Sequence, residues 1–151
     1  VTDLTDSTYE VTRAVHQLFE ENKVGLGLLD VYYGDQDKLP RTPCAAVESG
    51  SKNRQLNGAP RRTLVTIDVY VIIYFGRVTD GQFNQAESEK MAEAAEALLH
   101  QNEDLNGLVI HSLVVTNEPG YVIRGGAQVK ASRLTFQCTS QKMLPYSAGG
   151  E

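Results

Sequence analysis

Cations are in short supply. The 151-residue chain carries fourteen Lys and Arg against nineteen Asp and Glu, a net charge of −5. It lacks the surplus that a dedicated duplex nucleic-acid binder uses to displace phosphate counterions, and equally a polybasic membrane anchor. Long apolar runs are missing as well. No window approaches the roughly 18 consecutive apolar residues of a spanning helix, and residues 1–10 are acidic and polar where a secretory leader is basic and then apolar. The expectation is a soluble, intracellular chain with no membrane partner. Cysteine is scarce too: Cys44 and Cys138 stand far apart in a chain long enough to bury a core, which disfavours both a disulfide framework and a four-ligand zinc site. They read as reduced core thiols.

What remains is ordinary globular material, 41% hydrophobic and 22% charged, at the length of one domain. Val11, Ala14, Val15, Leu18 and Phe19 recur at helical spacing with charged residues between them, predicting a helix over residues 7–22. Ser7 followed three residues later by Glu10 marks its start as a reciprocal cap. Residues 28–33 read as a short strand. From residue 40 to 78 the period changes to two, and RTLVTIDVYVIIYFG (62–76) puts Val65, Ile67, Val69, Val71, Ile73 and Phe75 on one face and a mixed set on the other. At about 3.3 Å per residue this strand spans about 50 Å. A chain of this length packs into a globule roughly 38 Å across. The pattern therefore predicts a bulge or, as the favoured reading, a two-stranded arm pairing residues 45–55 with the first half of the long strand across the loop Leu56-Asn57-Gly58-Ala59-Pro60.

Residues 87–101, rich in alanine, predict a second helix with Met91, Ala94, Ala95 and Leu98 inward. Two strands follow, 108–116 and 127–139, joined by a turn at Asn117-Glu118-Pro119-Gly120. Arg124-Gly125-Gly126 reads as a further turn. In the last strand Val129 and Ala131 are odd but Leu134, Phe136 and Cys138 even, predicting a bulge near Ser132 and Arg133. No internal repeat is present. The fold class is α+β: two helices packed on a mainly antiparallel sheet with a long protruding β-hairpin. Residues 1–140 form one domain and 141–151 a flexible tail.

No catalytic constellation emerges. His16, His100 and His111 are isolated from one another and from ligand-spaced cysteines. Gly25-Leu26-Gly27 lacks a third glycine and follows a helix, so it fails the dinucleotide fingerprint. Asp68, alone in an apolar strand, reads as a solvated or interface position rather than a perturbed carboxyl. The expectation is no catalytic residue, no metal, no cofactor and no enzyme activity; a small enzyme of unrecognised type is the contrasting class.

The charges are segregated along the chain. Residues 1–37 hold eight acids and two bases, 38–79 two acids and seven bases, 80–104 seven acids and one base. The helical regions are acidic and the hairpin basic. Lys52, Asn53, Arg54, Arg61, Arg62 and Asp68 are therefore candidate subunit-contact residues, a basic end reaching an acidic neighbour, and such head-to-tail contacts close into rings.

The stretch LPRTPCAAVESGSKNRQLNGAPRRTLVTIDVYVIIYFG, the acidic helix ESEKMAEAAEALL and the final strands ending RLTFQCTSQ together resemble the tail terminator (tail-completion) proteins of long-tailed bacteriophages, over roughly residues 5–140. The resemblance implies a subunit that assembles as a hexameric ring on the last ring of the tail tube, stops tube polymerisation and offers the surface on which the head connector or stopper docks. DNA would pass through the lumen without specific binding. The implied partners are the chain itself, the tail tube protein and the connector, and the implied location is the neck of the virion, after assembly in the host cytoplasm. The alternatives within that machine are another neck component or a tail tube subunit. A lumen that lets DNA slide should not hold phosphate, which makes Glu87, Glu89, Glu93, Glu96, Glu103 and Asp104 candidates for its wall.

Overall fold

Two side-chain oxygens set the helix starts. In the computed structural model, which describes residues 4–56, 62–81 and 84–143, the Ser7 hydroxyl accepts from the Glu10 amide at 3.2 Å and opens α1, Thr8–Leu26. The Glu10 carboxylate does not return to the Ser7 amide as a reciprocal cap would require. It accepts instead from the Thr5 hydroxyl, whose oxygen also takes the Ser7 N–H at 3.0 Å. The helix runs past residue 22 and ends where Gly27 turns left-handed. The Asn84 side chain accepts from the Glu87 amide at 2.9 Å and opens α2, Gln85–His100.

Five strands follow from the period-two segments: β1 Asp30–Tyr33, β2 Cys44–Leu56, β3 Arg62–Arg77, β4 His111–Arg124 and β5 Ala127–Met143. Their order across one sheet is β1-β2-β3-β5-β4. β1 runs parallel to β2, and every other pair is antiparallel. The fold is α+β as expected. Both helices contribute to one apolar cluster on one face: Val11, Val15 and Phe19 of α1 and Ala92, Ala95 and Leu99 of α2 meet Val65 to Phe75 of β3 and Leu134, Phe136 and Cys138 of β5. A smaller cluster on the other face joins Cys44, Ala46, Ile72, Tyr74, Val129 and Ala131, with Leu39 packed against it.

That second cluster corrects the bulge expected near Ser132 and Arg133. β5 pairs with β3 in unbroken register there, Ile73 opposite Ser132 and Ile72 opposite Arg133. Odd residues point to one face throughout and even residues to the other, and the parity change records which face is covered at each end. The bulges lie elsewhere, at Ser49/Lys52 of β2, Tyr74/Gly76 of β3 and Val114/Thr116 of β4.

The turn expected at 117–120 is also corrected. β4 continues through it, with Pro119 opposite Ser132, because β4 is the outermost strand and a proline is tolerated where a strand has only one neighbour. The chain reverses at Gly125 and Gly126, whose φ values of 60° and 78° suit residues without a Cβ. The hairpin β2–β3 is as long as its period suggests, but it is no two-stranded arm. β5 pairs with β3 along its whole length, from Arg62 opposite Met143 to Arg77 opposite Val129. The hairpin loop, with Arg61, lies outside the described residues, as does the tail from residue 144; residues 141–143, expected to begin that tail, instead complete β5.

Candidate subunit-contact surface

β2 climbs to the loop and β3 descends from it, so the two ends of segment 38–79 meet at one end of the sheet and its middle lies at the other. The bases of residues 38–79 divide accordingly. Lys52, Arg54 and Arg62 are exposed at the loop end. Lys38, Arg41 and Arg77 reach the other end, where with Arg124 and Asp80 they line a cleft of about 640 Å³. Two of those four cations are already engaged, Arg41 with Asp30 at 2.7 Å and Arg124 with Asp35 at 2.6 Å. The Arg41 guanidinium holds the Asp30 carboxyl below its usual range.

At the loop end Arg54 donates to Asp6 at 2.7 Å. That hydrogen bond, with the positive field of Lys52, Arg54 and Lys142 around it, holds the Asp6 carboxyl low. Lys142 was not legible as a member of this group: it lies 80 residues from Arg62 in sequence and arrives because β5 sets it opposite Thr63. Asn53 is exposed, and half-buried Asp68 sits on the face away from the helices, accepting from Gln137 at 3.4 Å. Leu56, 78% exposed, adds an apolar side chain to this basic end.

The six acidic candidates are split by the structure. Glu87 is turned to the cap of α2, accepting from the Asn84 amide group at 3.0 Å. Glu89, Glu93 and Glu96 share a groove between α2 and β4, about 310 Å³, with Phe75 and Ala92 buried at its base and Pro119 beside them. Glu96 accepts across it from Asn117 of β4 at 3.2 Å. Lys130 also lines the groove, turned to Gln85 at 3.1 Å. Glu103 and Asp104 lie beyond α2, in the turn that leads to β4; the Glu103 carbonyl accepts from Ser112 and the Asp104 carboxylate from the Asn106 amide.

The groups with reactive potential are committed to structure. Burial pushes the Cys44 and Cys138 thiols up to about 12, so both are protonated at neutral pH and neither is a nucleophile. The Tyr74 hydroxyl donates to Asp35, and burial with that bond raises its pKa. The His100 ring accepts the Val114 amide at 3.2 Å, and His16 meets the Val31 carbonyl at 3.2 Å. Among the described residues no three His, Cys, Asp or Glu converge as a metal site, and no helix is long and apolar enough to cross a membrane.

In comparisons with known proteins, the chain matches no protein-family model and no curated protein.

Proposed function

We propose that this protein is a structural ring subunit of a bacteriophage neck, a tail terminator that caps the tail tube, ends its growth and presents the surface on which the head docks, with DNA passing through the lumen. The observation that carries the reading is charge segregation on one copy. The basic loop end, with Lys52, Arg54 and Lys142 around the Asp6 carboxylate and Arg62 exposed on the other face, lies on the β2–β3 side. The carboxylates of α2 lie over the β4 side. Two complementary surfaces at different places on one molecule favour head-to-tail association, and such contacts close into rings. The resemblance of the hairpin, the acidic helix and the last strands to tail terminators supplies the rest. Of the acids expected on the channel wall, Glu87, Glu103 and Asp104, which lie outside the groove between α2 and β4, are the proposed wall.

Sedimentation at low ionic strength, with projection images of the product, tests this. The expected result is a closed ring of about six copies that loosens in 1 M salt, where the Debye length falls to about 3 Å. A chain that stays a single copy at every concentration and on purified tail tubes overturns the reading. The long hairpin also suits a tube subunit. Labelled protein found at one end of isolated tails favours the terminator, and label along their length favours the tube.

A further inference from the structure

We propose that the groove between α2 and β4 is the receptor for the hairpin end of a second copy of this chain, with Leu56 seated on its base and the flanking cations on its glutamates. The proposal rests on the ring reading above and names its contact. The groove has the shape and chemistry of a socket for an apolar side chain set among bases. Phe75 and Ala92, 0% and 3% exposed, form an apolar base, and Glu89, Glu93 and Glu96 stand along it against one ammonium, Lys130, which is committed to Gln85. The hairpin end carries the matching set. Leu56 is among the most exposed large hydrophobic side chains of the described residues, at 78%. It stands opposite Thr63, with exposed Lys142 opposite Thr63 from the other side and exposed Lys52 further down the same face of β2, while Arg62 is exposed on the other face. Arg54 is held by Asp6, so Lys52 and Lys142 are the cations on that face that make no ion pair among the described contacts there.

One copy cannot satisfy itself. Leu56 pairs opposite Thr63, and the base of the groove lies at the level of Tyr74 and Phe75. The eleven residue steps from Thr63 to Tyr74 separate socket and plug by about 36 Å along β3. They also lie toward opposite edges of the sheet, β2 for the plug and β4 for the socket. The partner is therefore another molecule, and a surface alternating small, buried base with charged walls desolvates an apolar anchor while leaving the charges at a wet rim. This assigns Glu89, Glu93 and Glu96 to a neighbouring subunit in preference to a DNA channel. Glu87, Glu103 and Asp104 are outside the groove and are not part of the contact.

A charge exchange between two full-length variants tests it. K52E/K142E and E89K/E93K alter exposed side chains only, and circular dichroism should show both folded. Each alone is expected to weaken self-association at least tenfold by sedimentation. An equimolar mixture should recover it, because each variant's hairpin then meets a groove of opposite sign. L56D should weaken association with no recovery in either mixture. If the wild-type chain assembles and the variants assemble equally well, the groove is overturned while the ring stands. A closed two-copy assembly sensitive to the exchange keeps the groove and overturns the ring. A wild-type chain that is monomeric throughout overturns both.

Discussion

The two ends of the β2–β3 hairpin are built from the same two strands, shifted in register only by one bulge between them, yet they have different surroundings. At the end beside β1, residues Cys44 to Val47 and Val71 to Phe75 are buried without alternation, since the helices cover one face and the cluster around Tyr74 fills the other. Toward the loop, Lys52 to Leu56 of β2 are all exposed, and β3 alternates, its odd residues still buried under the helical layer. The border falls at the β2 bulge between Ser49 and Lys52. There Gly50 lies so close to the sheet that a Cβ would stand 3.0 Å from the Asp68 carbonyl and the Tyr70 ring. One end has its apolar groups spent on the core; the other presents charge and a lone leucine to whatever arrives. The difference teaches that strand period alone does not say what a strand is for: the number of covered faces does.

Four measurements sharpen or break this contrast. Ile73→Ala at the doubly covered end should cost about 2–5 kcal/mol in denaturant unfolding, since it empties a fully buried site. A loss under 1 kcal/mol would deny that this end is the stabilising one. The thiols give a pH test. Cys44 and Cys138 rise from the ordinary 9.0 to about 12 when folded. Their contribution is therefore full below pH 9 and lost as pH climbs toward 12, where the unfolded chain ionises and the native one does not. Unfolding free energy should fall by up to about 1.4 kcal/mol per thiol for each pH unit inside that window, and replacing both cysteines with alanine should flatten the slope. Tyr74→Phe removes the hydroxyl that donates to Asp35 and should cost about 1 kcal/mol, with Arg124 still holding the carboxylate. At the loop end K52E/K142E should change stability by no more than about 0.5 kcal/mol, as exposed substitutions do, while altering assembly. A large destabilisation there would mean the basic end is structural after all.

The helices and the long strand were legible because their signals are local. Ser7 announces its own cap and the odd residues of β3 name the helical side of the sheet, whereas the Asn84 cap went unread and α2 opens at Gln85, ahead of the expected residue 87. What escaped the sequence depends on long-range pairing. The parity change in β5 looks like a bulge until the Tyr74 cluster is known to bury the second face. Asn117-Glu118-Pro119-Gly120 has turn chemistry, and only the outer position of β4 makes it a tolerable strand. Of the candidate contact residues, the basic end was readable as far as residue 62, and Lys142 joined it through a pairing made 80 residues later. The six acids looked equivalent along the chain. Helical geometry placed Glu89, Glu93 and Glu96 together, whereas Glu87 went to a cap and Glu103 and Asp104 to a turn.

The position of β5 sets the order in which the molecule can be made. The last of the described strands lies between β3 and β4, bonded to both. Until it leaves the ribosome, β1, β2 and β3 have β3 as an open apolar edge, and β4 has no strand to pair with. Domains emerge over seconds at about 5–20 residues per second, and unpaired apolar strands in that interval are prone to mispairing. β5 enters as a wedge that joins the two fragments in one late step. The nascent chain therefore remains vulnerable until its last strand is out, and ribosome-bound chains ending before residue 127 are expected to be cut by protease between β3 and β4 where the released protein resists.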